Sequence, residues 1–102
     1  MERHGIKIKK RELVSFCKRN HIKKLSFFGS FTRDDFNSES DIDLLVEFER
    51  GKTPGFFDLV TMEEQLSGYF NGRRIDLRTA SDLSRYFREK VVTTSEVLYV
   101  GS

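Results

Sequence analysis

Residues 28–43 read FGSFTRDDFNSESDID, and these types at this spacing suggest chemistry at phosphorus. Gly29-Ser30 follows an apolar run, ten residues intervene, and Asp41-Ile42-Asp43 opens a second apolar run. In a strand, alternate residues share a face, so Asp41 and Asp43 point the same way while Ile42, Leu44, Val46 and Phe48 face the opposite side. Two carboxylates at the mouth of an apolar strand are costly unless something compensates them. A divalent cation would do so, and a Gly-Ser turn leading into a helix can hold a phosphate beside it.

The elements that must position these residues follow from periodicity. Residues 1–10 are polar and basic and are expected to lie in solvent. Leu13, Phe16 and Cys17 fall at helical spacing over 10–20. Cys17 and His21 lie at i, i+4, but no third metal ligand is near, and Cys17 reads as a core residue. Lys18, Arg19, Lys23 and Lys24 read as a solvated face. Residues 24–28 form a short strand with Leu25 and Phe27 on one face and Phe28 on the other. At Gly29 the backbone can turn sharply. Ser30 is expected to cap a short helix, with Arg33 one turn in as a further cation for phosphate. Taken alone, Gly-Ser is more often an ordinary strand–turn–helix.

Residues 41–48 form the second strand. Thr53-Pro54 reads as an N-cap and first helical residue, and Phe56, Leu59, Met62, Leu66 and Tyr69 recur as a core-facing helical stripe. A third strand spans 73–79, with Ile75 and Leu77 on one face and Arg74, Asp76 and Arg78 on the other. That strand alone leaves two roles open for Asp76: a third acid beside Asp41 and Asp43, or a partner for Arg74 or Arg78. A last helix over 81–91 would turn Leu83, Phe87 and Val91 inward, and 97–100 would add an edge strand.

Composition limits the alternatives. The 102 residues suit one domain, 1–102, burying roughly 60–70 % of its unfolded surface, with ten Phe to fill one core. A formal net charge of +2 argues neither for nor against nucleic acid, and no direct nucleic-acid binding is expected. The single cysteine fits a reducing, cytoplasmic setting. No stretch approaches the roughly 20 apolar residues of a membrane span.

Together the three acids say more than each alone. Adjacent strands lie about 4.8 Å apart and i, i+2 positions about 6.6 Å, so Asp41, Asp43 and Asp76 on one face can share one cation site or bracket two. Two Mg²⁺ ions can clamp the attacking and leaving oxygens of a displacement. The Gly-Ser, ten-residue, Asp-x-Asp spacing with a later third Asp resembles the nucleotidyltransferase superfamily of the DNA polymerase β type. SDIDLLVEF (40–48) and RRIDL (73–77) carry the likeness, which extends over roughly 22–100. Within it the chain is most similar to the minimal nucleotidyltransferases, including antitoxins of the MntA type encoded beside HEPN-domain ribonuclease toxins.

That resemblance implies an α/β (α+β) nucleotidyltransferase fold, a small mixed β-sheet with helices packed mainly on one side. It implies Asp41, Asp43 and Asp76 as catalytic ligands of two Mg²⁺ ions, with Gly29, Ser30 and Arg33 binding the triphosphate of ATP. It implies transfer of AMP to a protein hydroxyl, a tyrosine of a HEPN-type toxin, in a type VII toxin–antitoxin system. The alternative is a vestigial module that neutralises its partner by binding. Similar proteins usually read Ala-Arg-Gly after the Gly-Ser-x opening, whereas this chain has Thr32-Arg33-Asp34.

Overall fold

The computed structural model describes residues 2–101. A four-stranded mixed sheet forms its centre. β3 (Ile22–Phe28) pairs antiparallel with β4 (Ile42–Phe48) on one side and with β6 (Glu96–Val100) on the other. β4 pairs parallel with β5 (Ile75–Thr79), giving the order β5-β4-β3-β6. A parallel neighbour requires a long crossover, and α2 (Phe56–Tyr69) supplies it.

The period-2 pattern sorts the two faces. Leu25, Phe27, Ile42, Leu44 and Val46 join Leu13 and Phe16 of α1 (Lys10–Arg19), together with Met62 and Leu66 of α2, in the main core. Cys17 is fully buried there, and burial pushes its thiol up to about 12, so it is an inert core residue. The opposite face is more open. On it Phe28 and Leu45 pack with Leu83 and with Val91 of α3 (Arg85–Thr94). Two of the three helices thus cover one face, and the chain has the expected small mixed sheet.

The N-terminal residues depart from expectation. Glu2–Arg3 (β1) and Ile6–Lys7 (β2) form a hairpin closed by His4-Gly5, whose φ angles of 53° and 75° suit a tight two-residue turn. Ile6 and Ile8 enter the main core instead of solvent. The alternation Ile-Lys-Ile-Lys carried that signal inside a basic run.

Two helices also start later than their spacing suggested. Gly55, not Thr53, occupies the N-cap of α2, and Phe56 and Phe57 are 74 % and 82 % exposed. Phe56 lies one turn ahead of the segment that packs, so the expected stripe begins at Leu59. Near the C-terminus, Asp82 accepts from the Thr79 N–H (3.0 Å) and hydroxyl (2.9 Å), which closes a short 3₁₀ turn over Ala80–Asp82. Ser84 then caps α3 by accepting from the Phe87 N–H at 3.3 Å. The helix therefore starts at Arg85, and Phe87 lies in its first turn, one turn ahead of Val91. Leu83 and Val91 stay buried, while Phe87 is 49 % exposed.

Candidate active site

The open sheet face gathers the acids. Asp43 of β4 stands directly in register with Asp76 of β5, and with Phe28 on the β3 side. Asp41 immediately precedes β4, and the Ile42 N–H donates to the Arg74 carbonyl at 2.9 Å, tying the two strand starts together. Arg73 donates from Nη2 to the Asn37 and Ser40 carbonyls at 2.9 and 2.7 Å, and its guanidinium lies 4.8 Å from the centre of the Phe36 ring. Arg73 therefore holds the loop that delivers Asp41, a role that strand periodicity could not reveal. The edge strand is held from α2: the Leu77 N–H donates to Glu63 Oε2 at 2.7 Å.

Gly29 meets the acids at the end of β3. Its φ is +68°, a left-handed value that favours glycine, and a β-carbon there would stand 2.2 Å from Asp43 Oδ2. Residues Gly29–Thr32 form a single 3₁₀ turn, so the short helix expected ends before Arg33, which returns to extended backbone. Phe28 holds the N-cap position without a side-chain cap, so Ser30 lies inside the turn instead of capping it. Arg33 is not one turn into a helix. It is exposed beyond the turn and pairs with Asp35, Nε to Oδ1 at 3.2 Å.

Electrostatics confirm the crowding at Asp43. Burial and the neighbouring charges of Asp76 and Asp41 push its carboxyl up to about 6, against smaller downward pulls from Arg78 and Arg33. Asp76 is held by Arg78, whose Nε donates to Oδ1 at 2.9 Å. Of the two pairings that the third strand left open, the structure thus forms the one with Arg78. Among the described residues no three His, Cys, Asp or Glu side chains form a ready metal-binding group. The all-oxygen donor set and its uncompensated negative charge nevertheless fit a hard divalent cation such as Mg²⁺. Asp41 and Asp43 are the nearest pair along the chain, and Asp76 stands in register with Asp43.

Known proteins share this fold. Residues 10–100 match the family model described as "Nucleotidyltransferase domain". The chain is 33 % identical over 79 residues to the protein adenylyltransferase MntA of Thermococcus cleftensis, covering 78 % of this chain and 75 % of that protein. It is 30 % identical over 83 residues to a Methanocaldococcus jannaschii protein assigned as a protein adenylyltransferase, covering 81 % and 86 % of the two chains. A structure assigned to the minimal nucleotidyltransferases superposes with a TM-score of 0.69 at 30 % identity, over 90 % of this chain and 89 % of that one. A toxin–antitoxin structure with AMP-PNP superposes with a TM-score of 0.73 over 93 % of this chain and 76 % of that one, and at 18 % identity it shows the fold. With a family model that spans all but its ends and relatives 30–33 % identical over about four-fifths of its length, this chain belongs to the nucleotidyltransferase domain family and resembles its minimal members.

Proposed function

We propose that this chain moves AMP from ATP to a hydroxyl of a partner protein. The observation that carries this reading is the register of Asp43 with Asp76 beside a glycine whose left-handed φ and close approach to Asp43 disfavour any side chain. Gly29 and Ser30 accommodate the β- and γ-phosphates, and Arg33 beyond the turn adds a cation toward them. Asp41, Asp43 and Asp76 hold Mg²⁺, which when bound supplies charge neutralisation at the α-phosphate and orients the attacking oxygen. The acceptor oxygen attacks the α-phosphorus, the bond to the bridging oxygen breaks, and pyrophosphate leaves. Asp76, on the sheet-edge strand, is placed to take the acceptor's proton.

The partner we propose is a HEPN-domain ribonuclease toxin, with a tyrosine near its active site as acceptor. Two findings support it: the naming of the Thermococcus relative, and superposition on toxin–antitoxin complexes of MntA type, one described as a tri-AMPylated HEPN toxin with its antitoxin. AMP on such a tyrosine adds bulk and negative charge where RNA phosphates must bind, which would silence the ribonuclease. Dependence on ATP, together with an unpaired cysteine, favours the cytoplasm.

The test is to incubate the protein with ATP, Mg²⁺ and the product of its neighbouring gene, then weigh that product. An AMP-sized gain that disappears in Asp41→Asn supports the reading. Binding and inhibition with no added mass would instead make the chain a vestigial module, a reading that the Arg78–Asp76 ion pair favours because it already engages one of the three acids.

A further inference from the structure

The family match begins at residue 10, so the hairpin of β1 and β2 stands outside it. Its tip nevertheless touches the segment proposed to receive phosphate. His4 Nε2 donates to the Phe31 carbonyl at 2.8 Å, and the imidazole centre lies 5.0 Å from the Phe31 ring and 4.8 Å from the Phe36 ring. Phe31 is fully buried and belongs to the same 3₁₀ turn as Gly29 and Ser30. The hairpin is itself pinned. Arg3 forms a two-pronged ion pair with Glu96 of β6, Nη2 to Oε1 at 2.7 Å, and its guanidinium lies 5.8 Å from the centre of the Phe31 ring.

His4 is exposed, so core packing does not require an imidazole at this position. Its left-handed φ would be met more easily by Asn or Gly. The turn has no N-terminal side-chain cap and is closed by few bonds of its own, the Arg33 N–H to the Ser30 carbonyl at 3.0 Å and the Thr32 hydroxyl to the Gly29 carbonyl at 2.8 Å, so a bond to the Phe31 carbonyl is a substantial added restraint. Holding the Phe31 carbonyl fixes the peptide plane that follows it, and so the orientation of the turn's backbone donors.

We infer that His4 is a positioning residue: the N-terminal hairpin latches the Gly29–Thr32 turn in the geometry that receives the donor's terminal phosphates. This rests on the reading of that turn as the donor site. His4 contacts the turn through both a hydrogen bond and ring packing, and two substitutions separate them. His4→Phe keeps a ring and removes the donor. His4→Gln returns an amide nitrogen at similar reach.

The experiment measures amide exchange at Ser30, Phe31 and Thr32 without ligand, ATP binding with Mg²⁺ by calorimetry, and KM and kcat for transfer. His4→Phe should exchange several-fold faster at the turn and bind ATP about five-fold more weakly, as the loss of one hydrogen bond implies. KM should rise in step with little change in kcat, and His4→Gln should restore both readouts. Unchanged exchange at the turn in His4→Phe overturns the inference, as does a loss that His4→Gln fails to restore. A wild-type chain that binds no ATP overturns the donor-site reading itself, and the exchange data then report separately whether His4 holds the turn.

Discussion

Gly29 packs so closely against Asp43 that a β-carbon at position 29 would lie 2.2 Å from Oδ2 and 3.2 Å from Cγ. The turn and the acid are therefore one unit. Gly29→Ala should lower stability by about 1–2 kcal/mol through its left-handed φ alone, with more from displacing the carboxylate. In an Asp43→Ala background the second part should vanish. Denaturant unfolding of the two single variants and the double variant would check this non-additivity, and additive effects would refute the contact.

Asp43 makes the metal-free protein sensitive to pH. The folded chain keeps this proton to about pH 6, whereas the ordinary carboxyl value is 3.8. Across that window the unfolded state binds fewer protons, so stability falls as pH rises and levels off above about pH 6. After discounting for partial exposure, Asp43→Asn should stabilise the metal-free protein by about 1–2 kcal/mol at pH 7 and flatten this slope. Thermal unfolding of both proteins between pH 4 and pH 7 would measure the difference. Equal slopes would show that Asp43 is not the group responsible.

The three acids should separate by function. Asp41→Asn and Asp43→Asn should abolish Mg²⁺-dependent transfer while leaving the fold intact, since each removes ligand charge and relieves repulsion. Asp76→Asn should lose transfer yet retain ATP binding, because Arg78 already holds its carboxylate and Asp41 and Asp43 remain to bind the metal. Calorimetry with ATP and Mg²⁺ decides the matter. Equal loss of binding in Asp41→Asn and Asp76→Asn would contradict this division.

Asp34 places a negative charge just beyond the Gly29–Thr32 turn, and it is exposed. Asp34→Gly should tighten ATP binding by about 0.5–1 kcal/mol, the range for a screened charge near such a turn. The gain should shrink as salt rises. Unchanged affinity at low salt would mean that Asp34 does not face the triphosphate.

The amino-acid sequence by itself determined the local parts of this site. A period of two places Asp41 and Asp43 together and opposite Ile42 and Leu44, whatever the neighbouring strand. Glycine at 29 marks a turn, and the strands read from apolar alternation over 24–28, 41–48 and 73–79 match the observed ones to within two residues. Tertiary structure decided everything that depends on pairing across distance. Parallel pairing of β5 through the α2 crossover sets Asp76 opposite Asp43, and a slip of one residue would have turned it to the core. The choice of Arg78 over Arg74 as partner of Asp76 depends on side-chain geometry that both residues' shared face left open. His4 reaches Phe31 across 27 residues, and no local rule links a basic N-terminus to a buried turn. Phe87 shares a helix face with Val91 yet is half exposed, because it lies in the first turn of a helix that Asp82 and Ser84 start later than the spacing suggested. Periodicity reports which face a residue takes within its own element, whereas long-range packing decides what stands opposite it.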